Sequence, residues 1–181
     1  WAKIIPVTML DTLRDWISYP GVFAHGKVDS GTRALIEVLS SLPGRGRVLD
    51  FGCGSGLIGA TVVSRNPSAS VEFLDADAVA LKAVIQNVSD AEVILSDGYT
   101  GVRGHSYDMI VSNPPYHEGK AESRRILERL LTGAPHHLKP GGALFFVTQR
   151  RQRVASLLAS TFPVTESVLD RGAYRVWRGE L

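Results

Sequence analysis

Short apolar runs alternate along the chain with stretches whose apolar residues recur at helical spacing. After an irregular start over residues 1–30, Asp29-Ser30 predicts the cap of a helix whose positions Ala34, Leu35, Val38, Leu39 and Leu42 share one face. Pro43-Gly44 ends it. Arg47–Phe51 reads as a buried strand, followed by glycines and a helix over Leu57–Ser64. Val71–Leu74 is a second strand, and Asp77–Val88 a helix with Val79, Ala80, Ala83 and Val84 in register. Val93–Leu95 and Met109–Val111 follow as strands, then a helix over 122–138. The turn Pro140-Gly141-Gly142 leads into the strand Ala143–Thr148, which precedes a helix near Arg151–Ser160. Two further strands, Val164–Leu169 and Tyr174–Trp177, leave no room for a helix between them, so Arg171-Gly172 reads as a hairpin turn. The expected fold is α/β: a Rossmann-like, seven-stranded, mostly parallel sheet with an antiparallel last strand and helices on both faces.

With 181 residues the chain suits one domain, an irregular segment 1–30 ahead of a core over 31–181. Its composition, 44% hydrophobic and 21% charged, excludes a disordered chain. No apolar run approaches the roughly 20 residues of a membrane-spanning helix. The single cysteine, Cys53, forms no internal disulfide and suggests no zinc pattern, so no metal is expected. The start at Trp1, without methionine or a basic-then-apolar leader, reads as an excised domain or a processed chain, expected in the cytoplasm and as a monomer. Charge is unevenly spread. Residues 1–120 carry 10 basic against 13 acidic side chains, and residues 121–181 carry 10 against 5. Nine of those last basic residues are arginines, Arg124, Arg125, Arg129, Arg150, Arg151, Arg153, Arg171, Arg175 and Arg178. They suit a phosphate-rich partner; a solvated face with ordinary ion pairs is the competing reading.

The sharpest local pattern is Val48-Leu49-Asp50-Phe51-Gly52-Cys53-Gly54-Ser55-Gly56, a strand running into alternate glycines and then a helix. Glycine lets the backbone turn with positive φ and lets a ligand approach the main chain. In an open parallel sheet the crevice at the carboxyl ends of the strands is where ligands sit. Gly54-Ser55-Gly56-Leu57-Ile58-Gly59 also satisfies the dinucleotide pattern G-x-G-x-x-G, a weak signal alone. Asp75, ending the second strand, is placed to accept from ribose hydroxyls, in a nicotinamide enzyme or an S-adenosylmethionine enzyme alike. Asp50 discriminates between them: a carboxylate there suits a cationic methionyl amine and repels a pyrophosphate. Asp97 is placed to accept from an adenine amine. For each aspartate the competing reading is a helix cap or turn residue.

After the fourth strand comes Ser112-Asn113-Pro114-Pro115-Tyr116-His117. Two prolines hold this backbone extended at the same edge of the sheet. Such stiffness suits gripping an exocyclic amine on a planar ring, whose delocalised lone pair makes it a poor nucleophile until its hydrogens are held. The Asn113 side-chain oxygen and the Pro114 carbonyl are the expected acceptors, and Tyr116 the stacking partner, worth ~1–3 kcal/mol. A rigid turn with a capping asparagine and a core tyrosine is the alternative. His117 is placed either to relay a proton or to orient the loop. Cys53 reads as a small buried loop residue, and His136-His137 as partners of a helix C-terminus.

Together the two motifs resemble the class I S-adenosylmethionine-dependent methyltransferases that modify planar amino groups. Gly21-Val22-Phe23, Asp29-Ser30-Gly31-Thr32, the glycine loop and Asn113-Pro114-Pro115-Tyr116-His117-Glu118-Gly119 narrow the resemblance. They look like the bacterial small-subunit ribosomal RNA guanine-N2 methyltransferase family (RsmC-type), through to the closing Ala173-Tyr174-Arg175-Val176-Trp177. The resemblance implies S-adenosyl-L-methionine held by Asp50, Gly52, Gly54, Gly56, Asp75, Ala76 and Asp97, with Phe23 and Asp29 near it. It implies a flipped guanine bound by Asn113, Pro114, Pro115 and Tyr116, and ribosomal RNA or the small ribosomal subunit as partner. Members of that family carry a second, catalytically silent domain for which this chain has no room. Rival readings are a protein glutamine or DNA adenine methyltransferase, a nicotinamide-dependent oxidoreductase using Gly54–Gly59, and an RNA-binding domain that has lost catalysis.

Overall fold

The computed structural model describes residues 1–9, 11–42, 46–115 and 121–181. The start expected to be irregular is a hairpin instead. Strand β1 (Lys3–Met9) pairs antiparallel with β2 (Thr12–Ser18), from Lys3 opposite Ser18 to Met9 opposite Thr12. Its inner face has period 2: Val7, Met9 and Trp16 are buried while Ile4, Pro6, Thr8, Leu13 and Asp15 on the other face are exposed. A two-stranded sheet is marginal by itself. This one is held by packing on Leu57 and Ala60 and by Asn87, whose Oδ1 accepts from Ile17 N–H at 2.8 Å and whose Nδ2 donates to Ile17 C=O at 2.9 Å.

The main sheet contains β3 (Arg47–Phe51), β4 (Ser70–Asp75), β5 (Glu92–Leu95), β6 (Tyr107–Ser112), β7 (Leu138–Gln149), β8 (Val164–Arg171) and β9 (Tyr174–Glu180). Their order is β5-β4-β3-β6-β7-β9-β8, and β9 alone runs against the others. Adjacent residues point to opposite faces, and here both faces are covered. Val48, Phe73, Val111, Phe145 and Val176 meet α1 (Ser30–Ser40), α2 (Leu57–Arg65) and α3 (Ala78–Asn87) on one side. Leu49, Leu74, Ile110, Leu144 and Trp177 meet α4 (Ala121–Gly133) and α5 (Ala155–Thr161) on the other. Double coverage is why the strands read as continuous apolar runs. Among the described residues no helix is long and apolar enough to cross a membrane.

Several boundaries differ from expectation for local reasons. Val79 is exposed, and the buried face of α3 centres on Ala80, Leu81, Ala83 and Val84. The helix expected to reach residue 138 stops at Gly133, where a Cβ would lie 2.4 Å from the Tyr99 ring; Pro135 then forces a 3-10 turn over Ala134–His136. Pro140-Gly141-Gly142 lies within β7 as an irregularity, the pairing jumping from Tyr107–Leu138 to Met109–Ala143. The last hairpin turns at Gly172-Ala173, Gly172 taking φ +58°.

The chain fills one side of β3 with β4 and β5, then crosses to its other side with β6. That reversal opens a crevice at the carboxyl ends of β3, β4 and β6.

Candidate active site

The glycine loop leaves β3 and is stitched to β4 by its own backbone. Gly52 and Cys53 N–H donate to the Leu74 carbonyl at 2.8 and 3.0 Å, and Gly54 N–H donates to Asp75 Oδ2 at 2.8 Å. Gly56, the N-cap of α2, adopts the left-handed conformation at φ +84°, and a Cβ there would press on Val84 at 3.0 Å. Asp50 lies beneath this turn, fully buried, with Oδ2 accepting Gly59 N–H at 2.8 Å. Gly59 is required by closeness: a Cβ would stand 2.4 Å from the Phe73 ring and 3.0 Å from Asp50 Oδ2. The hairpin braces the loop from outside through Trp16 Nε1, which donates to Ser55 Oγ at 3.0 Å.

Above the loop lies a cavity of about 320 Å³, within the size range of small-ligand sites. Phe23, Asp29, Gly52, Gly54, Asp75, Ala76, Asp97, Asn113 and Pro115 all line it, drawn from five separate stretches of chain. Asp50, Gly56 and Pro114 do not; Asp50 and Gly56 shape the loop instead. Tyr116, His117 and Glu118 lie outside the described residues. Sequence reasoning missed the lining contributions of Thr32, Arg129 and the hairpin residues Ile5, Trp16 and Ser18. Thr32 carried a signal, since it stands three residues after the capping Asp29.

Burial sets the electrostatics. It pushes the Asp50 carboxyl up to about 7, with the Gly59 donor opposing and Asp75 adding to the rise. Burial also raises Asp75, against the N–H groups of Asp77 and Gly54. Asp75 Oδ1 accepts Asp77 N–H at 2.9 Å and Oδ2 accepts Gly54 N–H, so each oxygen keeps a lone pair for a further donor. Burial drives the Cys53 thiol well up, which suppresses the thiolate and fits a packing role. Asp97 is exposed and paired with Arg129 at 2.6 Å.

At the other end, Ser112 Oγ donates to the Phe51 carbonyl at 2.7 Å and ties the end of β6 to the end of β3. The next residue, Asn113, donates through Nδ2 to Asp29 Oδ2 at 3.0 Å and to Thr32 Oγ1 at 2.9 Å. Asp29 caps α1, its Oδ2 also accepting Thr32 N–H at 3.0 Å. Asn113 Oδ1 is buried and has no hydrogen-bond partner among the described residues. The site therefore combines Asp75, Asp97 and open backbone at one end with the neutral Asn113 amide and its partner Asp29 at the other.

The arginines of residues 121–181 are mostly engaged. Arg124 pairs with Glu128, Arg129 with Asp97, Arg150 and Arg175 with Asp170, Arg171 with Glu37, and Arg178 with Glu166 and Glu180. Ordinary ion pairing accounts for most of that positive charge. His136 lies in the last turn of the 3-10 helix Ala134–His136 and His137 is its C-cap, where its ring also stacks on Tyr99 at 4.7 Å between centroids.

The sequence profile described as "Methyltransferase small domain" matches residues 14–178. The chain is 35% identical over 181 residues to ribosomal RNA small subunit methyltransferase C of Stutzerimonas stutzeri, covering 98% of this chain and 54% of that protein. It is 42% identical over 145 residues to the protein of the same name from Hahella chejuensis, covering 78% and 42%. The chain thus spans about half the length of these relatives. A solved structure, the T. thermophilus 16S rRNA N2 G1207 methyltransferase (RsmC) in complex with AdoMet and guanosine, superposes with a TM-score of 0.85. The two are 25% identical, and the match covers 99% of this chain and 50% of that one.

Proposed function

The chain belongs to the methyltransferase small domain family, and from that premise we propose that it methylates the exocyclic N2 amine of guanine in small-subunit ribosomal RNA. The observation that carries this reading is Asn113 Oδ1, a buried acceptor without a partner among the described residues, on a residue that lines the same cavity as Asp75. A buried acceptor without a partner costs about 1–3 kcal/mol, so its retention points to a donor brought by the substrate. The names of the relatives and the AdoMet and guanosine bound by the T. thermophilus protein support the same ligands here.

When bound, S-adenosyl-L-methionine supplies an already activated sulfonium methyl. The residues present fit it. Asp75 has spare lone pairs for ribose hydroxyls, the glycine loop leaves its main chain open, and the buried Asp50 sets a carboxylate under the methionyl side. Ala76, Asp97 and Phe23 line the cavity and are the residues proposed to hold the adenine part. Asn113 Oδ1 is the proposed acceptor of one amine hydrogen; the Pro114 carbonyl, which does not line the cavity, is the proposed second acceptor only if the bound base reaches it, and together they hold the nitrogen lone pair toward the methyl group. Tyr116 is the proposed stacking partner of the base. A nitrogen–carbon bond forms, a carbon–sulfur bond breaks, and the nitrogen's surplus proton passes to water. Orientation supplies most of the acceleration. A guanine in a duplex does not reach this pocket, so the target is unpaired or flipped out.

The test is incubation with labelled donor and, separately, small ribosomal subunits, naked ribosomal RNA, duplex DNA and a translation release factor, followed by mass mapping of methylated nucleotides. N2-methylguanine in the RNA arms is expected. Label confined to adenine or glutamine refutes the reading, as does preference for a reduced nicotinamide over S-adenosylmethionine in a binding titration. Asn113→Ala is expected to abolish transfer while donor affinity stays within about threefold, the loss being one of oriented contact; near-normal turnover removes the role given to that side chain.

A further inference from the structure

The amide of Asn113 is useful to an amine in only one of its two orientations. With Oδ1 toward the cavity it accepts a hydrogen bond; turned over, it presents hydrogens to a group that already bears two. Asparagine oxygen and nitrogen are close to isosteric, so the orientation has to be set by neighbours. Two neighbours set it here. Both Nδ2 hydrogens are used, one by Asp29 Oδ2 at 3.0 Å and one by Thr32 Oγ1 at 2.9 Å. A turned-over amide would bring its carbonyl oxygen against the Asp29 carboxylate, two acceptors with no proton between them.

We propose that Asp29 and Thr32 form a clamp that fixes the acceptor face of Asn113 toward the substrate amine, so that both are positioning residues for transfer. The inference rests on the reading of the site given above, and it assigns Asp29 to the amine side rather than to the methyl donor. The clamp exists before any ligand arrives. Asp29 is held as the N-cap of α1 at φ −63° and ψ 144°, and its Oδ2 serves Thr32 N–H and Asn113 Nδ2 together. Gly31 leaves room for it: a Cβ there would stand 2.9 Å from Asp29 Oδ2 and 3.1 Å from the Tyr174 ring. Donating to a carboxylate also polarises the amide, drawing electron density onto Oδ1 as a nitrogen facing it gains positive charge. A cap needs only the Asp29–Thr32 backbone bond, so the side-chain bonds to Asn113 are additional to capping.

The experiment compares wild type, Thr32→Val, Thr32→Ser, the double variant Asp29→Ser with Thr32→Val, and Asn113→Ala. Readouts are kcat on small-subunit ribosomal RNA, donor affinity by calorimetry, thermal stability, and binding of guanosine against inosine, which lacks the exocyclic amine. Serine at position 29 keeps a capping hydroxyl, and valine is close to threonine in shape, so folding is preserved. Wild type is expected to prefer guanosine by about fivefold, the worth of one hydrogen bond. Thr32→Val lowers kcat about fivefold, and Thr32→Ser restores it. The double variant brings the guanosine preference to unity and kcat to the level of Asn113→Ala, with donor affinity unchanged. A merely structural role weakens guanosine and inosine alike and leaves their ratio intact. Retention of the preference in the double variant, while Asn113→Ala loses it, overturns the clamp alone. Retention of both preference and turnover in Asn113→Ala overturns the reading of the site, and the clamp with it.

Discussion

Asp50→Asn gives the sharpest test of the charge placed under the glycine loop. The Asp50 carboxyl is fully buried and its pKa rises from 3.8 to about 7. At about 1.4 kcal/mol per pH unit, that difference amounts to about 4 kcal/mol. The sign follows from where each state holds the proton. Below 3.8 the folded and unfolded chains are both protonated. Between 3.8 and about 7 the unfolded chain has lost the proton and the folded one keeps it. Above 7 both are ionised, and the folded state bears the whole penalty of a buried charge. Asp50 therefore makes the protein less stable as pH rises through this window. The asparagine variant does not titrate. Its amide oxygen still accepts Gly59 N–H, while its NH₂ replaces the unpartnered Oδ1 at a pH-independent cost of about 1–3 kcal/mol. Asp50→Asn is expected to be about 2 kcal/mol less stable at pH 4 and about 2 kcal/mol more stable at pH 8, the curves crossing between about pH 5 and 6. In melting temperature the swing is roughly 8–16 °C for a chain of this size. Urea unfolding of both proteins, ligand-free, every half unit from pH 4 to 8, reads it directly. Parallel stability curves over that range refute the buried-charge argument.

Asp75→Ala removes the acceptor for Gly54 and Asp77 N–H and the proposed ribose partner; donor affinity is expected to fall at least tenfold, about 1.4 kcal/mol, and an unchanged calorimetric Kd refutes the assignment. Glu72 is fully buried, and burial alone raises its pKa, but donors from Tyr107, His105 and Arg47 outweigh that and hold it below 4.5. Its contribution is present above 4.5 and lost as pH falls through the lower folded value, so Glu72→Gln is expected to cost about 3 kcal/mol at pH 7 and progressively less under acid; equal losses at pH 7 and pH 3 contradict this. Arg151 and Arg153 follow the carboxyl end of β7, on the edge that carries the cavity, and Arg151→Gln with Arg153→Gln is expected to reduce the salt slope of RNA binding by about 1.4, against no change if both face away from phosphates.

Much of this architecture is legible in the chain because it is written locally. Val48/Leu49 and Ile110/Val111 are adjacent apolar pairs in short runs bounded by turn residues, as a strand covered on both faces requires. The glycines after Phe51 and the aspartate ending β4 announce the crevice in the same way. What escaped was decided at long range. The hairpin carries a clear alternation in Ile5, Val7 and Met9, but Pro6 interrupts it, and its stability comes from Leu57, Ala60 and Asn87 more than forty residues away. The arginines left two readings open, a phosphate surface or a solvated face with ordinary ion pairs, and only partners at long range, as with Arg171 and Glu37, 134 residues apart, show how many of them are paired. Asp50 was expected at the ligand and lies under the loop, because a strand residue two positions before the turn points into the layer of α2 rather than into the crevice.

On the proposed reading of the site, the division of charge across the cavity follows from what each end has to do. The donor end must favour a cation, and Asp75 and Asp97 line it while Asp50 supports it from below. The amine end must accept two hydrogens without stripping a proton prematurely or presenting a group that changes charge with pH. A carboxylate in the place of Asn113 would stand about 3 Å from Asp29, and two carboxylates that close force one to keep a proton, turning an acceptor into a donor. The neutral amide escapes that penalty. It needs an orientation, which the first turn of α1 supplies, and a polarising negative charge, which Asp29 supplies through its hydrogen bond to the amide. A neutral Asn113 held by hydrogen bonds to Asp29 and Thr32 is therefore an acceptor that is polarised, fixed in direction and does not itself titrate.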